Sequence, residues 1–367
     1  MFPLRRFSLL VLVIGLMSKS PSVVTAADES GAVVLSEFLF EKAPFASCHA
    51  STITMSGSGL VAAWFGGPYE KHPDVGIWVA RREEKGWTAP VEVADGVQYV
   101  DGEGRVHRHP CWNPVLFQPQ EGPLMLFYKC GPDPRTWWGM MMVSDDSGRT
   151  WSRPTRLPER IDGPVKNKPI QLRTGEILSG CSTENAEWRV HLEKTSDLGK
   201  TWQRIGPIND GKEFEAIQPS ILTYKDGRMQ ILCRTRQKKI AQSWSSDGGA
   251  TWSRMTATEL PNPNSGTDAV TLADGRQLLV YNHTVRSGPS PRGREMLNVA
   301  VSEDGEQWSA ALTLENEKGE FSYPAVIQTP DGLVHTVYTW NRRNIRHFVL
   351  DPAKFQLRKI VNGAWPQ

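Results

Sequence analysis

Residues 144–151 read SDDSGRTW, and the phrase returns. Residues 195–202 read TSDLGKTW, residues 245–252 read SSDGGATW, and residues 302–308 carry the shortened SEDGEQW. The copies start 51, 50 and 57 residues apart. A near-constant period of that length marks a repeat architecture, in which each unit buries its apolar face by stacking on its neighbours. Each copy has a mechanical reading. The short carboxylate of Asp146, Asp197 or Asp247 accepts hydrogen bonds from the backbone of its own turn. The glycine two residues on supplies a positive φ without steric cost. The Trp then carries a large apolar surface into the next strand. Recurrence at one period makes these aspartates scaffold rather than catalysts.

A second repeat counts the units. Gly59, Gly122, Gly175, Gly227, Gly275 and Gly332 each stand at the head of a short alternating apolar run, such as DGRMQILCR from residue 226 and DGRQLLVY from residue 274. A glycine turn before such a run signals a hairpin. The units are therefore six, and in the first the turn motif has decayed to REEKGW, residues 82–87.

The rest of the chain fits that count. Residues 1–26 combine Arg5 and Arg6, an apolar run too short to span a bilayer, and a small-residue Val-Thr-Ala ending. That is the pattern of a secretory signal peptide, so residues 27–367 are expected as one exported domain, secreted or periplasmic, with no membrane span. A net charge of +2 without a basic tract argues against nucleic acid as a partner. Five cysteines, an odd number, show no metal-ligand spacing and leave any disulfide pairing open. No metal and no cofactor are expected, and the protein is expected to act as a monomer. Fourteen Trp serve the repeat and suit stacking on sugar faces.

Short alternating strands without helical periodicity give an all-β fold: a six-bladed β-propeller of four-stranded antiparallel blades, which leaves few exposed edges. The strand-like VVLSEFLF, residues 33–40, precedes the first unit. It is expected to pair with the last blade and close the ring.

The repeated S/T-x-D-x-G-x-T-W phrase resembles the Asp-box of the sialidase (neuraminidase) superfamily, and the resemblance covers nearly all of the chain after residue 26. It implies a sugar site on the face opposite the Asp-boxes. It also implies an arginine triad for a substrate carboxylate, a Tyr nucleophile paired with a Glu, and an Asp acid/base. Tyr323, in FSYPAVIQTPDG, matches the nucleophile. A neutral phenol needs a carboxylate to take its proton. Glu215 is the candidate, beside Gln218 in FEAIQPS, although the family's N-E-x-Q is broken here and its Glu would align nearer Ala216 or Ile217; a solvated surface carboxylate is the alternative. Arg234, ending MQILCR, matches the second triad arginine. Arg294 matches the third, with Arg292 as the other candidate. Asp74, before GIWVARR, matches the acid/base. The first triad arginine is missing, and His49 stands in its place in PFASCHASTI. A protonated His49 would replace that charge only in part.

Polar runs at successive blade starts add His109, Asn113, Lys168 and Arg342 as substrate-binding candidates. Their shared location places them around one funnel. The resemblance implies an exo-α-sialidase-type glycoside hydrolase that cleaves a terminal acidic sugar with retention. Two alternatives stay open: a propeller polysaccharide lyase acting on uronates, with His49 or His109 and Tyr323 as base and acid, and a non-catalytic carbohydrate-binding propeller.

Overall fold

The computed structural model describes residues 30–57, 59–185, 187–285 and 293–366. Residues 1–26, expected as a signal peptide, and Arg292 lie outside them. Six antiparallel sheets follow one another around a ring. Their inner strands are Ser47–Ser56 in blade 1, Cys111–Phe117 in blade 2, Ile170–Gln171 in blade 3, Ala216–Thr223 in blade 4, Asp268–Thr271 in blade 5 and Phe321–Gln328 in blade 6. The inner strands of blades 2, 1, 6, 5 and 4 pack on one another in turn at the centre, and blade 3 meets the inner strand of blade 4 through its second strand, Ile177–Thr183. In every blade the chain then runs outward through neighbouring strands.

The expected closure is present. Val33–Phe38 pairs antiparallel with Asn344–Leu350 as the outer strand of blade 6. A second clasp was not legible in the sequence. After blade 6 the chain returns to blade 5, where Arg358–Lys359 pairs with the strand Trp308–Asn316. A further hairpin, Val97–Val100 with Val106–Arg108, stands between blades 1 and 2.

The glycine turns follow the sequence reading in five blades, where Gly122, Gly175, Gly227, Gly275 and Gly332 all have positive φ. Blade 1 differs: Gly57, at φ 59°, takes the turn, and Gly59 already begins the strand. The core lies between blades rather than within them. Val61, Ala63 and Phe65 of blade 1 pack on Leu116, Leu126 and Tyr128 of blade 2, for example.

The Asp-box turns join the third and fourth strands. Asp146 accepts from Arg149 N–H (3.0 Å), Thr150 N–H (2.8 Å) and the hydroxyls of Ser144 (2.8 Å) and Thr150 (2.6 Å). Asp197 repeats that set with Lys200, Thr201 and Thr195. Each turn leans on the preceding blade: a Cβ on Gly199 would lie 2.9 Å from the Met141 sulfur. The hydrogen bonds hold the Asp197 and Asp247 carboxyls down at about 2, with the Thr201 and Thr251 hydroxyls foremost.

Candidate functional site

The end of the ring opposite the Asp-boxes holds the starts of the inner strands and the links between second and third strands. Four inner strands share an irregularity there. Against the second strand, the register slips across Ala50–Ser51, Asn113–Pro114, Gln218–Pro219 and Tyr323–Pro324, so two residues oppose one. The first residue of each bulge has positive φ: 56°, 37°, 57° and 55° in that order. Positive φ in a non-glycine residue costs on the order of 1–3 kcal/mol and concentrates at functional sites. Three of the four bulges end in Pro, which has no N–H to lose from the ladder. The sequence therefore carried a signal for three of the funnel positions: an x-Pro step inside an inner strand.

Tyr323 is the hub. Arg234, on the second strand of blade 4, donates from Nη1 to the phenol oxygen at 2.7 Å. The same nitrogen also donates to Gln218 Oε1 at 3.2 Å, and Arg234 Nε to Asn264 at 3.0 Å. The Arg234 and Arg294 guanidiniums each lie 5.6 Å from the centre of the Tyr323 ring. The His49 ring is 4.2 Å from it. Gly266 lies under the ring, where a Cβ would come within 3.2 Å.

Arg342 adds a third guanidinium. It comes from the turn after the second strand of blade 6, at φ 54°, and its carbonyl accepts from the N–H of Cys48, next to His49. Glu320 bridges two arginines: Oε1 accepts from Arg294 at 2.8 Å and Oε2 from Arg342 at 3.0 Å. Glu70, in the Asp74 loop, accepts from Arg342 at 2.6 Å. Burial works against the Glu320 charge, but Arg342 and Arg294 outweigh it and hold the carboxyl below its ordinary range. Burial likewise opposes the Arg342 charge, and Glu320 and Glu70 overcome it.

His49 is 2 % exposed, and its Nδ1 bonds the Thr339 hydroxyl at 3.0 Å. Burial first, then Arg342, Arg294, Arg234 and Lys166, push its pKa well below 6.5. The imidazole is thus neutral at neutral pH. This corrects the expectation of a titrating charge that would partly replace the missing arginine.

The floor of the funnel is a buried polar network. Lys166 donates to Asn167 Oδ1 (2.8 Å), to the Thr267 carbonyl (2.9 Å) and to the carbonyl of Pro324. It therefore grips the bulge that carries Tyr323. Burial brings the Lys166 ammonium down to about 7. Lys168 is committed to Asp268, at 3.0 Å, and to the Ala269 carbonyl.

Other expected residues stand apart from the hub. Glu215 pairs with Arg236 at 2.7 Å, and its backbone N–H bonds Gln237. Glu184, which the sequence reading passed over, accepts from Gln218 Nε2 at 3.5 Å, and burial raises its pKa. Asp74 is 56 % exposed in its side chain and accepts from Arg108 at 3.0 Å. His109 stacks edge-on to Trp138. Asn113 turns at its bulge with φ 37°. A cavity of about 1090 Å³ opens at the Asp-box end between blades 1, 2 and 6, lined by Ser56, Arg81, Arg149 and His335 among others. It holds no bulge residue and none of the groups around Tyr323.

The comparisons with known proteins follow the fold. An anhydrosialidase from Macrobdella decora is 24 % identical over 252 residues, which are 60 % of this chain and 32 % of that protein. The chain thus spans about a third of the curated relative's length. The NanB sialidase of Streptococcus pneumoniae superposes with a TM-score of 0.70 at 12 % identity, over 87 % of this chain and 71 % of that one. The intramolecular trans-sialidase of Ruminococcus gnavus gives 0.68 at 15 % identity, over 89 % and 99 %. A protein of unknown function from Dyadobacter fermentans gives 0.70 at 17 %, over 87 % and 98 %. The family described as the BNR repeat-like domain matches residues 58–336; the chain belongs to that family.

Proposed function

We propose that the protein is a sialidase-type glycoside hydrolase that acts on a terminal sugar bearing a carboxylate. The observation that carries this reading is the hydrogen bond from Arg234 to the Tyr323 phenol, with Arg294 and Arg342 at the same hub. A planar carboxylate suits paired guanidiniums, which bind it with two parallel charge-assisted bonds. Arg342 supplies the third cation that the blade 1 sequence lacks. Tyr323 attacks the anomeric carbon, with its oxygen already accepting from Arg234 and its proton directed to another acceptor. Since Glu215 is committed to Arg236, we assign that acceptor to Glu184, which shares Gln218 with Arg234 and is raised in pKa by burial. Asp74, exposed on its loop, protonates the leaving group and then activates water. Asn113, His109 and Lys168 shape the funnel wall without touching the reacting atoms. Residues 1–26 direct the protein out of the cytoplasm, where glycans are met, and the mature domain works as a monomer.

A second reading rests on His49. A neutral imidazole 4.2 Å from a tyrosine ring is a base–acid pair for β-elimination from a uronate. The two readings separate by product mass. Hydrolysis adds one water to the released sugar, whereas a lyase adds none and leaves an unsaturated, ultraviolet-absorbing product. The purified protein is incubated with aryl α-sialosides and with uronate polysaccharides. Release of the free acidic sugar supports the hydrolase. Unsaturated uronate without aryl release moves the assignment to the lyase, and saturable binding with no turnover leaves a sugar-binding propeller.

A further inference from the structure

Cys111 and Cys130, both free buried thiols in the structure, face each other across the first two strands of blade 2. The neighbouring pair fixes their geometry: Gly131 N–H donates to the Pro110 carbonyl at 3.2 Å, so Gly131 and Pro110 are a hydrogen-bonded pair. Antiparallel ladders alternate, which makes Cys111 and Cys130 a non-hydrogen-bonded pair. The Cys111 N–H agrees, since it leaves the ladder for the Val75 carbonyl of blade 1 at 2.9 Å. Residues in such a pair have Cα atoms about 4.5 Å apart and their side chains closest, which lies inside the roughly 4.4–6.8 Å span of disulfides. Each of the other cysteines faces a residue without a thiol: Cys48 faces Gly66, Cys181 faces His191 and Cys233 faces Ala241.

We propose that Cys111 and Cys130 form a disulfide that staples the inner hairpin of blade 2 beside the Asp74 loop. The pair is covered by the segment leading into the Val97–Val100 hairpin. Gln98 Nε2 donates to the Cys130 sulfur at 3.3 Å, and a Cβ on Gly96 would lie 3.3 Å from the Cys111 sulfur. The thiols are unequal. Cys111 holds Cys130 below its ordinary pKa by a hydrogen bond, Gln98 adds to this, and Cys111 is itself raised, by that same bond and by burial. Cys130 is therefore the attacking sulfur. Its thiolate attacks a low-molecular-weight disulfide, such as oxidised glutathione, and expels one glutathione thiol. The Cys111 sulfur, on losing its proton, then attacks Cys130 and expels the second. Two electrons and two protons pass to the glutathione pair, and one S–S bond replaces another. Both thiols are buried, so the exchange takes place as the chain folds or when the covering segment lifts.

The test is thiol counting. The full chain is refolded from denaturant in a glutathione redox buffer, quenched with acid, alkylated under denaturing conditions and weighed. The expected mass is that of the chain with three alkylated cysteines less two further hydrogens, about 2 Da, and so two alkyl groups below the fully reduced and alkylated chain, with peptides joined through residues 111 and 130. The Cys111→Ser protein keeps four alkylatable thiols and shows no such loss. The oxidised wild type melts at a higher temperature than the same protein refolded with a reductant. Five alkylated cysteines in the wild type, a link between other residues, or identical melting with and without reductant overturns the proposal.

Discussion

The two ends of the propeller satisfy their polar groups in opposite ways. At the Asp-box end, every partner of Asp146 lies within four residues of it. At the funnel end, partners come from distant parts of the chain. Arg234 and Tyr323 are 89 residues apart, Lys166 and Pro324 158, Arg342 and Glu70 272, and His49 and Thr339 290. The first end is a set of independent turns. The second is one object assembled from several blades, so its members are coupled and a change in one is felt by the others.

That contrast can be broken experimentally. The largest expected effect is Tyr323→Phe, which keeps the ring against Gly266 and removes the oxygen that meets Arg234. Turnover should fall by roughly 10³-fold or more with melting temperature unchanged; retained turnover in steady-state assays removes Tyr323 from the chemistry. Next is Glu320→Gln, which leaves Arg294 and Arg342 without their shared carboxylate. Catalytic efficiency should drop by about 10²-fold, with Arg342→Lys non-additive with it in a double-mutant cycle. Additive losses would show that the bridge is not a unit.

A pH titration sharpens the picture at His49. Its folded pKa lies below the unfolded value of about 6.5. The unfolded chain thus binds a proton that the folded one refuses, and the stability from this site is present above pH ~6.5 and is lost as pH falls below it. His49→Asn should flatten part of that acid loss in denaturant titrations. Between pH 6 and 7.5 substrate affinity should change alike in the wild type and in His49→Asn, because Lys166, brought down to about 7, is the group that titrates there; a fall seen in the wild type and absent from His49→Asn would restore a charged His49. The smallest effect is at the other end: Asp247→Ala should lower the melting temperature while turnover per folded molecule stays within about twofold of wild type. A stable but inactive protein would mean that the two ends are not independent.

The same contrast explains what was legible in the sequence. A turn closed within five residues writes its partners next to each other, so the Asp-boxes, the hairpins and the blade count were readable, and so was the closing strand from its strand-like, largely apolar run. The family resemblance pointed to Tyr323, Arg234 and Arg294, and the polar runs at blade starts to Arg342; the structure brings these four side chains around one hub. Partners across blades left no such mark. Glu320 stands three residues before Tyr323 and Glu70 four before Asp74, yet nothing local ties either to an arginine. Glu215 was chosen by proximity to Gln218. In a strand, an odd offset sends the side chain to the other face, and Glu215 meets Arg236 instead. The extra clasp at Arg358–Lys359 is two residues long, too short to carry a pattern.

The outer strand of blade 6 has a consequence for how the protein is made. Ser36 and its partner Arg346 are 310 positions apart. The strand that completes the last blade is translated first, and it waits with an open edge while five blades are built. An unpaired edge is an invitation to the wrong neighbour, including a second nascent chain. The ring shuts only when Asn344–Leu350 emerges. Structural completion therefore waits for the sixth blade, and a chain stopped one blade short would leave Val33–Phe38 without its partner.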